Sequence, residues 1–242
     1  MTSPFSLQDK MVLITGANGG IGAATARVCA ELGAALVLAD IQEPLALAGE
    51  LRGNGTAVTT HGFDVRDRKA TERMVEQLGG LDAVVANAGF CPWDDWEDEG
   101  WDQVFEEIID INLLGVIHLM RAVLPKLYRQ GSGNVVLVSS VAGRMGGLRA
   151  SPHYVAAKGG VNSLVKWLAA KAAPHGVVVN AVAPGATITP MTAGQPFDPT
   201  GIPLQRLAEP REIALPISFL CTSGASYMCG ATVDVNGGVY MG

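Results

Sequence analysis

The feature that most limits the fold is a recurring pattern: short apolar runs divided by longer stretches of helical periodicity. The first run is Met11-Val-Leu-Ile14, and a glycine-rich turn, Thr15-Gly-Ala-Asn-Gly-Gly-Ile-Gly22, follows at once. Further runs are Ala35–Ala39, one containing Val58–His61, Leu81–Ala86, Asn134–Ser139, Val177–Val182 and Ala231–Val235. Runs this short and continuously apolar suit strands buried on both faces of a parallel sheet. Helical stretches lie between them, over about Gly20 to Leu32, Asp67 to Leu78, Trp101 to Tyr128, Pro152 to Ala173 and Pro210 to Cys221. Pro152 and Pro210 fall in first turns, where a helix accepts proline. Asn112 interrupts an apolar pattern and predicts a division of its helix. Right-handed crossovers would place helices on both faces. The expected fold class is α/β: a single-domain Rossmann-type three-layer αβα sandwich over residues 1–242, with a mostly parallel, seven-stranded sheet.

Composition narrows the function. An apolar share of 48% against 17% charged residues argues against general disorder. Net charge is -6 with no basic stripe, so nucleic acid is not an expected partner. The acidic run Asp94–Glu99 reads as a solvated helix start. Cys29, Cys91, Cys221 and Cys229 have no CxxC spacing, and the histidines are scattered, so neither a disulfide framework nor a metal site is expected. No leader, lipidation motif or uninterrupted apolar stretch of membrane length is read. A cytoplasmic protein without a membrane partner is the expectation. The segment 190–208, with Pro196, Pro199 and Pro203, is a surface loop or a lid over a substrate.

Two constellations carry chemistry. Gly16, Gly20 and Gly22 follow a strand and open a helix, where backbone can approach a pyrophosphate and the helix N-terminus offers donors. A plain strand-turn-helix junction would use the same glycines. Asp40 ends the second strand, where a carboxylate can accept both ribose hydroxyls of NAD and repels a 2′-phosphate. No Arg or Lys follows within several residues, so NAD(H) is expected rather than NADP(H). Asp64-Val65 and Asn87-Ala-Gly89 end the next two strands and line the same crevice in such an architecture. Separately, Tyr154 and Lys158 are four apart and share a helix face. A phenol of pKa ~10 is poorly matched to neutral pH, and an ammonium beside it favours the phenolate. Ser139 or Ser140, ending the fifth strand, would hold a substrate oxygen.

With these residues in this order, the chain resembles the classical short-chain dehydrogenase/reductase family over essentially its whole length. The match takes in Thr15-Gly16 through Gly22, Asn87-Ala88-Gly89, Asn112, Ser139-Ser140, Tyr154-Val-Ala-Ala-Lys158, and Pro184-Gly185 followed by Thr189. The resemblance implies Tyr154 as acid in reduction and base in oxidation, Lys158 as its partner, and Ser140 as the group that polarises the substrate oxygen. It implies Asn112 as the holder of a relay water. Asn18, Gly20 and Ile21 would belong to the phosphate turn, and Ile41 would stand beside Asp40. Asp64 and Val65 would meet adenine. Pro184, Gly185, Ile188 and Thr189 would adjoin the nicotinamide. A homotetramer is implied. Two departures stand out. Ser140 and Tyr154 are fourteen residues apart where thirteen is common, and Trp101–Asn112 is about one helical turn longer than usual.

The resemblance points to Val141, Met145, His153, Met191 and Phe197 as pocket residues beside Ser140, Tyr154 and Pro184, with Phe90 and Trp93 reaching in from the other side. That lining favours a neutral secondary alcohol or ketone of modest size. The expected activity is reversible NAD(H)-dependent alcohol oxidation or ketone reduction. A 3-oxoacyl thioester reductase and a catalytically silent nucleotide-binding scaffold are the alternatives.

Overall fold

A computed structural model describes residues 3–147 and 149–242. The strands are β1 (Met11–Thr15), β2 (Ala35–Asp40), β3 (Val58–Gly62), β4 (Ala83–Ala86), β5 (Gly133–Val138), β6 (Val177–Pro184) and β7 (Thr232–Val235). They form one parallel sheet in the order β3-β2-β1-β4-β5-β6-β7. The helices are α1 (Gly20–Glu31), α2 (Leu45–Gly53), α3 (Arg68–Gln77), α4 (Trp101–Ile109), α5 (Gly115–Gln130), α6 (Ala142–Met145), α7 (Pro152–Ala172) and α8 (Pro210–Leu220). Sequence periodicity did not reveal α2 or the four-residue α6.

The apolar runs form strands because both sheet faces are covered. Along β1, Val12 and Ile14 pack with α1, α2 and α8 residues, while Leu13 packs on the opposite side with residues of α3, α5 and α7. Period-two alternation thus divides one apolar run between two cores. The result is the expected three-layer, single-domain Rossmann-type sandwich. Helix starts follow local chemistry: Asp67 accepts the Ala70 N–H at 3.0 Å to open α3, and the Glu212 carboxylate accepts the Glu209 N–H at 2.9 Å ahead of α8.

Chain order reverses between β1 and β4, and the register places Thr15 level with both Ala39 and Ala86. The carboxyl ends of the central strands therefore open on one crevice, the usual ligand position in this architecture. Trp101–Gln130 is a continuous helical stretch of membrane length, with mean hydropathy 1.6 in its most apolar window. Half of that window is buried within the protein, and Val116, Leu119, Met120, Val123 and Leu127 belong to the core. Its apolar character serves packing against the sheet. Midway, Asp110–Leu114 widens into a π-turn around Asn112, the division its polar side chain predicted.

Candidate active site

A cleft of about 790 Å³ runs across the carboxyl edge of the sheet. At one end, β1 gives way to Gly16, whose φ of +68° is left-handed. A Cβ on Gly16 would lie 2.8 Å from Ala88 Cα, and one on Gly22 would lie 2.1 Å from the Gly16 carbonyl oxygen. The turn therefore closes on itself and on the end of β4 only with glycine at both places. Asn87 fastens the same junction, its Nδ2 donating to the Thr15 and Gly16 carbonyls at 3.2 and 3.0 Å. Gly19 precedes α1 without a side-chain cap, so the first N–H groups of the helix face the cleft without an intrahelical acceptor. Gly16, Asn18, Gly20 and Ile21 line this end; Gly22 is buried behind it.

Asp40 closes the far side of the turn. Its Oδ2 accepts from the Asn18 N–H and its Oδ1 from the Ile41 N–H, each at 2.8 Å. Each carboxylate oxygen keeps a further lone pair for a ligand. Asp40 and Ile41 line the cleft, followed by Asp64, Val65 and Asn87–Gly89. Arg66 also lines it, but its guanidinium is bound to Asp64 at 2.6 and 2.9 Å and lies 3.4 Å from Glu107. That hydrogen bonding holds the Asp64 carboxyl below its usual range. A glycine cradle, free helix donors and a carboxylate at the end of β2 fit a dinucleotide. No cluster suited to a metal ion occurs among the described residues.

The candidate proton-transfer groups stand on the wall of the same cleft. Tyr154 and Lys158 lie one turn apart on α7, with the Lys158 Nζ 5.7 Å from the Tyr154 ring centroid. Nζ donates to the Val138 carbonyl at 3.0 Å. Both serines border the cleft; Ser139 is buried and its Oγ donates to the Lys158 carbonyl at 3.1 Å, whereas Ser140 is less buried. The Ser139 hydroxyl is thus committed to α7, and the Ser140 hydroxyl is not. Ser140 Oγ accepts the Ala142 N–H at 3.1 Å, which leaves its own proton free to donate.

Burial pushes the Tyr154 phenol above its ordinary range, with the nearby Cys91 adding to the rise and the Ser140 hydroxyl opposing it. Burial also lowers Lys158 to about 8. Desolvation is the largest cause of the Tyr154 shift, and its direction is contrary to the one read from the sequence. Tyr154 is accordingly a protonated phenol at neutral pH. Cys91, pushed up to about 11 by burial, is a protonated thiol at neutral pH.

Pro184, Gly185 and Thr189 line the cleft after β6, and Val141, Met145, Met191 and Phe197 line its wider end. Phe90 and Trp93 approach from the β4 side. Besides Gly22, three expected residues lie off the cleft wall. Ile188 is half-exposed, its N–H bound to the Ala208 carbonyl at 2.9 Å, while its neighbours Thr187 and Thr189 face inward. Asn112 is fully buried behind the cleft, and its side chain exchanges hydrogen bonds with the Phe90 main chain at 2.8 and 3.2 Å. His153 is also fully buried and is corrected as a pocket residue. It turns to Asp94 and stacks on Trp101, because adjacent helix positions point about 100° apart.

Sequence reasoning missed Gly143. A Cβ there would lie 2.4 Å from the Lys158 carbonyl carbon and 2.6 Å from the Gly159 nitrogen, so glycine lets the Ser140 loop rest on the catalytic helix. Its place in the short connection before Ser151 gave no periodic signal. Val239, which also lines the cleft, was missed because a C-terminal coil has no pattern to read.

A family model described as short chain dehydrogenase matches residues 10–198. The chain belongs to the short-chain dehydrogenase family. Among curated relatives, cis-4-hydroxycyclohexanecarboxylate dehydrogenase of Sinomonas cyclohexanicum is 38% identical, covering 95% of this chain and 96% of the relative. A solved structure of a putative NAD(P)-dependent gluconate 5-dehydrogenase from Beutenbergia cavernae, with NADP bound, has a TM-score of 0.92 at 30% identity. It covers 98% of this chain and 99% of the other. A 3-oxoacyl-[acyl-carrier protein] reductase from Brucella melitensis, with NAD bound, has a TM-score of 0.91 at 32% identity, covering 100% and 94% of the two chains. This short-chain dehydrogenase therefore has the oxidoreductase fold and an NAD(P)-type cleft.

Proposed function

We propose that this short-chain dehydrogenase interconverts a secondary alcohol and its ketone using NAD(H), with Tyr154 transferring the proton. The observation that carries this reading is convergence: Ser140, Tyr154 and Lys158 stand on the wall of the same cleft that ends at Asp40. When bound, NAD(H) supplies or receives the hydride. The chain's own groups do the rest. The glycine turn and the start of α1 hold the pyrophosphate. Asp40 accepts ribose hydroxyls and disfavours a 2′-phosphate through like charge. Ser140 donates to the substrate oxygen, and Tyr154 gives that oxygen its proton in reduction. Lys158 supports the phenolate so formed, and Asn112 and the Phe90 main chain buttress the relay side of the lysine.

The apolar wider end suits a ketone of modest size; the hydroxycyclohexanecarboxylate named for the Sinomonas relative agrees in size and ring, though it also carries a carboxylate. The Brucella neighbour favours a second reading, reduction of a 3-oxoacyl thioester. Initial rates with NADH and NADPH across small diketones, cyclic ketones, aryl ketones, keto sugars and a 3-oxoacyl thioester separate the two. Efficient NADH-dependent reduction of a ketone class supports the first reading. Selective turnover of the thioester would replace it with the second, and a lower KM for NADPH would refute the Asp40 assignment.

A further inference from the structure

Asp94 behaves unlike the rest of the acidic run. Ser151 occupies the capping position of α7 but does not cap it. Its Oγ instead donates to Asp94, reaching the carboxylate at 2.5 Å and also the main-chain carbonyl. The Tyr154 N–H, which such a serine would ordinarily satisfy, donates to His153 Nδ1 at 2.7 Å. A ring nitrogen that accepts carries no proton, so the imidazole proton sits on Nε2, aimed at Asp94 Oδ2 at 2.9 Å. Trp101 covers the imidazole face, stacked at 5.3 Å and 9°. Asp94 is thus fastened to the first turn of the helix that carries Tyr154.

Trp93 precedes Asp94 and has φ +61°, a left-handed conformation that a bulky residue rarely adopts. Such strain persists where surrounding contacts over-determine it. Asp94 supplies the restraint on one side. On the other, Trp93 Nε1 donates to the Met191 carbonyl at 2.8 Å, and the indole meets Phe197 edge-on at 5.4 Å and 84°. Trp93, Met191 and Phe197 all line the cleft. A continuous wall therefore links the catalytic helix, through Asp94 and Trp93, to the segment after β6.

We propose that Trp93 determines substrate specificity by restricting the cleft to a compact, ring-sized ketone or alcohol, and that Asp94 is the positioning residue that holds it there. The proposal rests on the alcohol-ketone reading above. Its consequence is a change in substrate discrimination with nucleotide binding untouched, because Asp40 and the glycine turn lie at the other end of the cleft.

The test compares kcat/KM for 4-tert-butylcyclohexanone and cyclohexanone in wild type, Trp93→Ala, Asp94→Ala, Asp94→Asn and the Trp93→Ala/Asp94→Ala double variant. NADH dissociation constants are measured in parallel by fluorescence titration. Trp93→Ala is expected to raise the bulky-to-compact ratio about tenfold or more. Asp94→Ala should move it the same way, the double variant no further than Trp93→Ala, and Asp94→Asn should restore most of the wild-type ratio, with NADH affinity constant throughout. Should Asp94→Ala not fold, Ser151→Ala removes one of its two anchors and carries the same expectation. An unchanged ratio in Trp93→Ala, or additive effects in the double variant, would overturn the proposal. Wild type that reduces other ketones but not cyclohexanone overturns this substrate class while leaving the alcohol-ketone reading intact. Wild type that binds NADH and reduces no ketone overturns that reading and this inference with it.

Discussion

Gly143→Ala isolates the contact between the serine loop and the catalytic helix. The added methyl would lie 2.4 Å from the Lys158 carbonyl carbon, where ordinary contact begins at 3.4 Å. Both partners are backbone, so no flexible side chain can yield. Relieving the clash moves α6 and α7 apart by about 1 Å, and a misplacement of that size costs about 100-fold in rate. Overpacking of this kind also costs about 1–3 kcal/mol of stability. The nucleotide turn is remote from the contact. The assay is steady-state ketone reduction at saturating NADH, with NADH affinity from fluorescence titration and folding checked by thermal melting. The expected result is a large fall in kcat, nearly unchanged NADH affinity and a lowered Tm. A folded variant with kcat within threefold of wild type would refute the idea that Gly143 sets the spacing of Ser140 and Tyr154.

Asp40→Ser removes the carboxylate that faces the ribose, and its kcat/KM ratio for NADH over NADPH should fall by at least about tenfold, equivalent to 1.4 kcal/mol; an unchanged ratio would place cofactor selection elsewhere. Lys158→Met tests the cost of the buried ammonium. The folded lysine releases its proton at about 8, below the ordinary 10.5 of a solvated lysine. The unfolded chain therefore binds more protons between those values, and this residue's contribution to stability rises with pH across that window. In denaturant titrations the ligand-free Lys158→Met variant should exceed wild type by up to about 3 kcal/mol at pH 7, with the gap narrowing above pH 8. A gap that does not change up to pH 10.5 would contradict the depressed lysine pKa.

Legibility followed periodicity. Continuous apolar runs such as Val135–Val138 identified central strands because both faces are buried, and the ends of those strands located the cleft. The i, i+4 pair Tyr154 and Lys158 was readable because a helix brings that spacing together. The same rule, applied to His153, would have turned it away from the cleft; adjacency in sequence misled. Contacts between distant loops left no such trace. Nothing in the run Asp94–Glu99 distinguishes the one carboxylate that ties down Ser151 and His153 from the solvated ones after it. Gly143 was equally silent, since its role depends on the backbone of a separate helix. The direction of the Tyr154 shift was misread because the sequence showed the neighbouring charge and not the depth of burial.

The most direct test of the central claim is turnover of Tyr154→Phe with the best ketone found for wild type, measured alongside NADH binding. The substitution keeps the ring and removes the transferable proton. A fall in kcat of about 10²- to 10⁴-fold with NADH affinity preserved is the predicted result. Turnover near the wild-type rate would contradict Tyr154 as the proton donor and, with it, the mechanism built on this cleft.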